Sequence, residues 1–223
     1  MALPSLDEIP IYQEPLYEGS QDPATKFRRY EAVPDGGASL RSIPGTPGGM
    51  YRTGGLEHDV TGQPGFDPDL RNSNVARRRE RMVAIDASLS NDANQEQPVL
   101  GNHPCAVISW GSSAGAAREA VESLHAQGLD IGYLFPRVLW PMPSAAIGKF
   151  IKSGIRTLYI CEVNDSQQFA QLLRANFATE LQGTGVEVVG VNQDSGSPFS
   201  ARDIQQRLQQ LLNKQVTRIR QAV

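Results

Sequence analysis

The stretch Cys105–Gly128, "CAVISWGSSAGAAREAVESLHAQG", carries the decision about the fold. It begins with a short apolar run and turns at Gly111. It continues with Ala117, Val121 and Leu124 at helical spacing, and Gly128 stops it. A strand followed at once by a helix is then repeated along the chain. "DIGYLFP" reads as the next strand, and "SAAIGKFIKSG" as a short helix ending at Gly154. "RTLYICEV" reads as a strand. "SQQFAQLLRANFATEL" reads as one amphipathic helix with Phe169, Leu172, Leu173 and Phe177 inward. "VEVVGV" is a strand, and a closing helix starts from Ser200 as its cap. Near-continuous apolar strands alternating with helices mark a parallel sheet covered on both faces. The expected fold class is α/β, a three-layer mostly parallel sheet over residues 103–223.

Residues 1–102 read differently. Between Pro34 and Pro68, 14 of 35 residues are Gly or Pro, which excludes a long helix or regular strand there. Arg41, Ile43, Met50, Tyr51, Leu56 and Phe66 are nevertheless able to pack, so an ordered irregular segment laid over another surface is expected rather than a tether. A short helix is expected near 73–87, with Asn72 or Ser73 as its cap, followed by a polar surface loop. The N-terminal residues lack a basic region followed by an apolar core. They are punctuated by Pro4, Pro10 and Pro15 and read like the middle of a longer protein.

Composition narrows the function classes. The net charge is −3 and the mean hydropathy is −0.35, which gives no field that favours nucleic acid. The local exception is Arg77-Arg78-Arg79-Glu80-Arg81, read as a solvated helix face or a subunit salt-bridge site. No apolar run reaches the ~20 residues a membrane helix needs. Cys105 and Cys161 are the only cysteines, and each sits in an apolar run. Two thiols cannot make a self-contained iron–sulfur or structural zinc site, and they suit a reduced, cytoplasmic setting.

Several residue groups are candidate sites. Ser112, Ser113 and Gly115 open a helix after a strand and offer N–H groups to an anion, or else Ser112 or Ser113 caps that helix. Arg137 and Trp140 follow the C-terminal end of a strand, where ligands and partners of parallel sheets gather. Glu162 ends a strand and is placed to cap the next helix or to meet a partner loop. His125 reads as a surface helix residue. Glu57, His58 and Asp59 are consecutive in a glycine-rich loop. Consecutive loop residues seldom converge on one metal, so a turn whose side chains bond backbone amides or a neighbouring subunit is expected. No catalytic or metal-ligating set is assigned.

The ordered series "GGASLRSIPGTPGGMYRTGGLEHDVTG", the Arg-rich helix, "VISWGSSAGAAREAVESLHAQGLDIGYLFPRVLWPMP" and "LYICEVNDSQQFAQLLR" resembles the C-terminal part of the alpha subunit of 2-oxoacid:ferredoxin oxidoreductases, most of all the 2-oxoglutarate type. The resemblance implies a transketolase C-terminal-like domain over 103–223. It implies a role in assembling an enzyme that decarboxylates a 2-oxoacid on thiamine diphosphate, reduces ferredoxin and makes an acyl-CoA. Thiamine diphosphate, magnesium and an iron–sulfur cluster are implied in the beta subunit, with none bound by this chain alone. The implied partners are that beta subunit and an N-terminal alpha domain, with ferredoxin and coenzyme A met through the complex. Gly48, Gly49, Glu57, His58, Asp59 and Trp140 are then docking residues, and the chain is not expected to be catalytic alone. The similarity departs from the family at one turn. Where the family often has a glycine before a glutamine, this chain has Gln167 before Gln168. The alternative expectation is a non-catalytic α/β module that binds an anionic small molecule or scaffolds an assembly.

Overall fold

The computed structural model describes residues 5, 7, 9, 11, 13–22, 24–34, 37–91 and 97–221, with side chains through 89 and from 97 to 213. The chain divides into two compact units, 1–88 and 89–223.

The second unit is built on four parallel strands, β1 (Cys105–Ser109), β2 (Gly132–Leu134), β3 (Thr157–Glu162) and β4 (Glu187–Asn192), in the order β2-β1-β3-β4. Every residue of β1 and of β3 is buried. Successive strand side chains point to opposite faces, so each strand feeds two cores. Ala106, Ile108, Leu158 and Ile160 pack on one side with α3 (Ser144–Lys152) and α4 (Gln168–Asn176), through Ile147, Phe150, Phe169 and Leu173. Val107, Tyr159 and Cys161 pack on the other side with α2 (Ala114–Ala126) and α6 (Ala201–Gln221), through Val121, Leu124, Ile204 and Leu208. The three-layer α/β expectation is met.

The structure departs from the expected elements of this unit in three places. The single helix expected over 166–181 is two, α4 and α5 (Ala178–Thr184), because Phe177 leaves helical geometry and buries its ring beside α4. Leu172, expected inward, is 36% exposed, while Phe169, Leu173 and Phe177 are buried. Part of the expected surface loop is stitched to the sheet. Val99 and Tyr133 exchange backbone bonds at 2.9 and 2.8 Å, and His103 N–H donates to Asp130 O at 2.8 Å, which covers the β2 edge. Residues 92–96 of that loop lie outside the described residues. Ser200 caps α6 as expected: the Asp203 N–H donates to its Oγ at 3.1 Å, and its own hydroxyl donates to the Asp203 carboxylate.

The first unit has no strand ladder among its described residues. Its helix α1 runs Pro68–Asn91, longer than the expected 73–87. It starts earlier because Pro68 has no N–H to lose in a first turn. Asp67 precedes it, with its Oδ1 3.2 Å from the Asp69 N–H, so neither Asn72 nor Ser73 is a cap. Its ordered centre is aromatic. Tyr17 stacks on Phe27 at 4.5 Å, Tyr51 meets the edge of Phe27 at 5.7 Å, and Tyr30 lies 4.0 Å from His58. The Arg29 guanidinium lies over both Tyr30 and Tyr51. Among the described residues of this unit, Phe27 is the one large hydrophobic residue that is buried.

The packing of α4 yields a contrast between neighbours. Leu173→Ala removes a fully buried side chain and is expected to cost about 2–5 kcal/mol. Leu172→Ala, on the partly exposed side, is expected to cost well under about 1 kcal/mol. Urea denaturation of both variants checks the assignment, and equal losses would refute it.

Candidate functional site

In an open parallel sheet, ligands gather where the strand order reverses, outside the C-terminal ends of the strands. Here the chain leaves β1 toward β2 and returns past it to β3, so the switch lies between β1 and β3. Two segments border it, Trp110–Ser113 after β1 and Val163–Gln167 after β3.

The first segment is a 3-10 turn over Gly111–Ser113. Neither Ser112 nor Ser113 caps α2 with its side chain. The turn itself serves that end, with the Ala114 N–H donating to Gly111 O. Ser113 is buried and donates to Trp110 O at 2.9 Å, while Ser109 Oγ lies 2.9 Å from Cys161 O and 3.0 Å from Ser113 Oγ. These hydroxyls tie β1 to β3. Ser112 is exposed, and Gly115 lies inside α2 with open space where a Cβ would stand. The Trp110 indole Nε1 is buried and without a partner among the described residues, and its ring packs 6.4 Å from Phe169.

The second segment is organised by Glu162, which is fully buried at the end of β3. Its Oε2 accepts from the Phe169 N–H at 2.9 Å, and its Oε1 accepts from the Ala170 N–H at 3.1 Å. A carboxylate at these first amides of α4 meets unsatisfied donors and the positive end of the helix dipole. Asn164 completes the network: its Nδ2 donates to Glu162 at 2.7 Å, and its Oδ1 accepts from the Gln168 N–H at 3.0 Å. Of the two roles weighed for Glu162, the helix cap is the one the structure holds.

Gln167 stands where the family often has glycine, and among the described residues it is the one non-glycine residue with positive φ, at 54°. The turn therefore keeps the left-handed geometry that a glycine would favour. The side chain finds its room over β4. A Cβ built on Gly190 would fall 2.2 Å from Gln167 Cδ, and Gln167 Nε2 lies 3.3 Å from Asn192 Oδ1. The departure from the family turn is thus matched by an absent side chain on the neighbouring strand.

Arg137 and Trp140 follow the C-terminal end of β2. Arg137 is exposed, with no hydrogen bond or ion pair among the described residues, and Trp140 is largely exposed. His125 is half-buried, and its Nε2 donates to Ile131 O at 2.8 Å, so it pins the end of α2 to the approach of β2. Burial pushes the Cys105 and Cys161 thiols up to about 12.

In the first unit Glu57, His58 and Asp59 do not converge. Glu57 pairs with Arg78 at 2.7 Å and accepts from Asn74 at 2.8 Å, while Asn74 also donates to His58 O at 3.0 Å. Asp59 Oδ1 accepts from the Thr61 N–H and hydroxyl and from the Gln63 N–H. The His58 ring lies tilted against Tyr30. Each residue holds a different part of the same turn. Gly48 and Gly49 serve close approach within the unit: added Cβ atoms would stand 3.0 Å from Ser20 O and 2.8 Å from Ser42 Cβ. Among the described residues, no group of His, Cys, Asp and Glu is placed to hold a metal ion, and no helix is long and apolar enough to cross a membrane.

Residues 104–210 match the family described as Pyruvate:ferredoxin oxidoreductase core domain II. The chain is similar to 2-oxoacid:ferredoxin oxidoreductase 2, subunit alpha, of Aeropyrum pernix, with 29% identity over 82% of this chain and 27% of that protein. It is 28% identical to 2-oxoglutarate oxidoreductase subunit KorA of Mycobacterium tuberculosis, over 85% of this chain and 27% of that one. Among solved structures it resembles a 2-oxoglutarate:ferredoxin oxidoreductase from Magnetococcus marinus, solved with 2-oxoglutarate, coenzyme A and succinyl-CoA bound. The TM-score is 0.70 at 27% identity, over 93% of this chain and 34% of that one. The chain thus spans about a quarter of the length of these curated relatives.

Two outcomes test these local assignments. Glu162→Gln turns an amide N–H₂ toward backbone donors and is expected to cost about 2–3 kcal/mol, read as a lower urea midpoint; an unchanged midpoint removes the cap. Asp59 is held below its ordinary value of 3.8, first by the Thr61 hydroxyl, and Glu57 is held below 4.5, first by Arg78. Both depressed carboxyls stabilise the fold above their unfolded values, and that contribution is lost as pH falls through their folded ones. An NMR titration is expected to place the Asp59 midpoint below 3.8.

Proposed function

We propose, on the premise that this chain is a homologue of 2-oxoacid:ferredoxin oxidoreductase alpha subunits, that it supplies the C-terminal alpha-subunit region of such an enzyme, acting on 2-oxoglutarate. The single observation that carries the reading is the match to the 2-oxoglutarate:ferredoxin oxidoreductase over 93% of this chain. In the assembled enzyme a 2-oxoacid is oxidatively decarboxylated, ferredoxin takes the electrons and an acyl-CoA leaves. This chain's part is architectural. The second unit presents the β1/β3 switch, braced by Glu162 and Ser109, and the first unit presents an irregular surface that neighbouring polypeptide covers. The partners are the beta subunit and the N-terminal alpha domain, whichever polypeptide carries it. The setting is the cytoplasm, consistent with two buried free thiols.

Thiamine diphosphate, magnesium and an iron–sulfur cluster belong in this reading to the beta subunit. Two cysteines inside the sheet core, with thiols pushed up to about 12, do not fit a cluster that needs about four exposed thiolates, so no step is derived through one. Ser112, Ser113, Gly115 and Arg137 remain the residues proposed for an anion at the switch edge. Gly48, Gly49, Glu57, His58, Asp59 and Trp140 remain those proposed for docking, their internal roles shaping the surface they present. Exposure of Met50 and Phe66, 92% and 90%, supports covering by a partner.

Co-expression with a beta subunit and an N-terminal alpha domain of the 2-oxoglutarate type tests the proposal. A stable native-mass complex is expected, with 2-oxoglutarate- and coenzyme A-dependent reduction of ferredoxin that disappears when this chain is left out. A complex equally active without it would overturn the reading.

A further inference from the structure

The Arg77–Arg81 run is not absorbed by the function above. It lies on α1, a helix whose one buried described side chain is Asn74. A helix that buries so little of itself owes its place either to charge pairs or to something it bridges to. The described charge pairs supply little: Arg78 reaches Glu57, but Arg77, Arg79 and Arg81 have no ion pair among the described residues. Arg77, Arg79 and Arg81 line an open groove of about 990 Å³, together with the segment around Val33 and Pro34. Its lining includes the apolar residues Val83, Ala84 and Ala87, and Val83 is 70% exposed.

The charges are not of one sign. At 100° per residue, Glu80 falls between Arg79 on one flank and Arg77 and Arg81 on the other. A carboxylate in that position opposes a continuous polyphosphate, and the chain as a whole carries −3. It accommodates separated carboxylates, each forked by one guanidinium, with an apolar side chain seated between them.

We propose that this groove docks an acidic, apolar-anchored peptide segment of another polypeptide. Charge complementarity selects the occupant: three unpaired guanidiniums call for carboxylates, and the apolar lining of Val83, Ala84 and Ala87 calls for aliphatic anchors between them. The docking chemistry stands on the groove itself. Only the choice of a subunit of the same enzyme as the owner of the segment rests on the reading above.

The test uses the full chain and a short fluorescein-labelled peptide of alternating Glu and Leu, followed by anisotropy. Saturable binding is expected, weakened by about tenfold in Arg77→Glu and in Arg81→Glu, and weakened by salt. Arg77→Lys, which keeps the charge but not the fork, is expected to weaken it less than Arg77→Glu does. Val83→Asp is expected to weaken binding too, with the helical circular dichroism of the wild type retained in each variant. The proposal is overturned by no saturable binding, by binding that charge reversal leaves unchanged, or by equal binding of a Lys–Leu peptide or a DNA oligonucleotide. A separate arm repeats Arg81→Glu in the co-expressed complex. Failure of the wild-type chain to assemble there counts against the proposed function, while the peptide arm still decides the groove.

Discussion

Strand β3 buries all six of its residues, and this sets a condition on everything packed around it. Leu158 and Ile160 look to one side while Tyr159 and Cys161 look to the other, so neither face of the sheet can meet water. Helices are therefore needed on both faces, and the connections between parallel strands have to carry them. At the end of the same strand an apolar residue is replaced by Glu162. A buried carboxylate is tolerated only when its oxygens are occupied, and the first amides of α4 and the Asn164 amide occupy them. The polar end of β3 thereby sets where α4 begins, and with it the shape of the turn beside the switch point.

That turn shows how a local departure is absorbed. Gln167 takes a left-handed conformation that costs a side-chain-bearing residue about 1 kcal/mol. The surrounding network holds it there: Asn164 fixes the residue after it, and Asn192 Nδ2 donates to the carbonyls of Asn164 and Asp165. Gly190 leaves the space that its side chain fills. Backbone geometry is preserved while the surface of the turn changes from bare peptide to a glutamine amide.

The two units are held by different physics. The second has two apolar cores and the hydrogen-bonded ladder between them. The first relies on an aromatic cluster around Phe27, on Arg29 stacked against two tyrosines, and on side chains that bind the backbone of their own turns. With so little buried apolar surface, such a segment gains order chiefly from polar contacts, and those contacts leave Met50, Phe66 and Val83 on its outside. Its glycines allow the chain to approach itself closely, so the same residues that shape the loop also leave its apolar side chains outward.

The sequence by itself determined the α/β class, the four strands and the family resemblance, because period, β-branched runs and turn residues act locally and are written in consecutive positions. The strand β3, the helix cap at Ser200 and the inward set Phe169, Leu173 and Phe177 were all legible in this way. Tertiary structure alone decided which of two adjacent leucines on α4 is buried, that Phe177 breaks a helix, and that Val99 joins the sheet edge. It also decided that Glu57, His58 and Asp59 face three different partners, since a side chain's partner depends on residues distant in the chain: Arg78 for one, Tyr30 for the next. Local pattern specifies elements; the direction of a carboxylate or the fate of an isolated ring is settled only when elements from elsewhere arrive beside it.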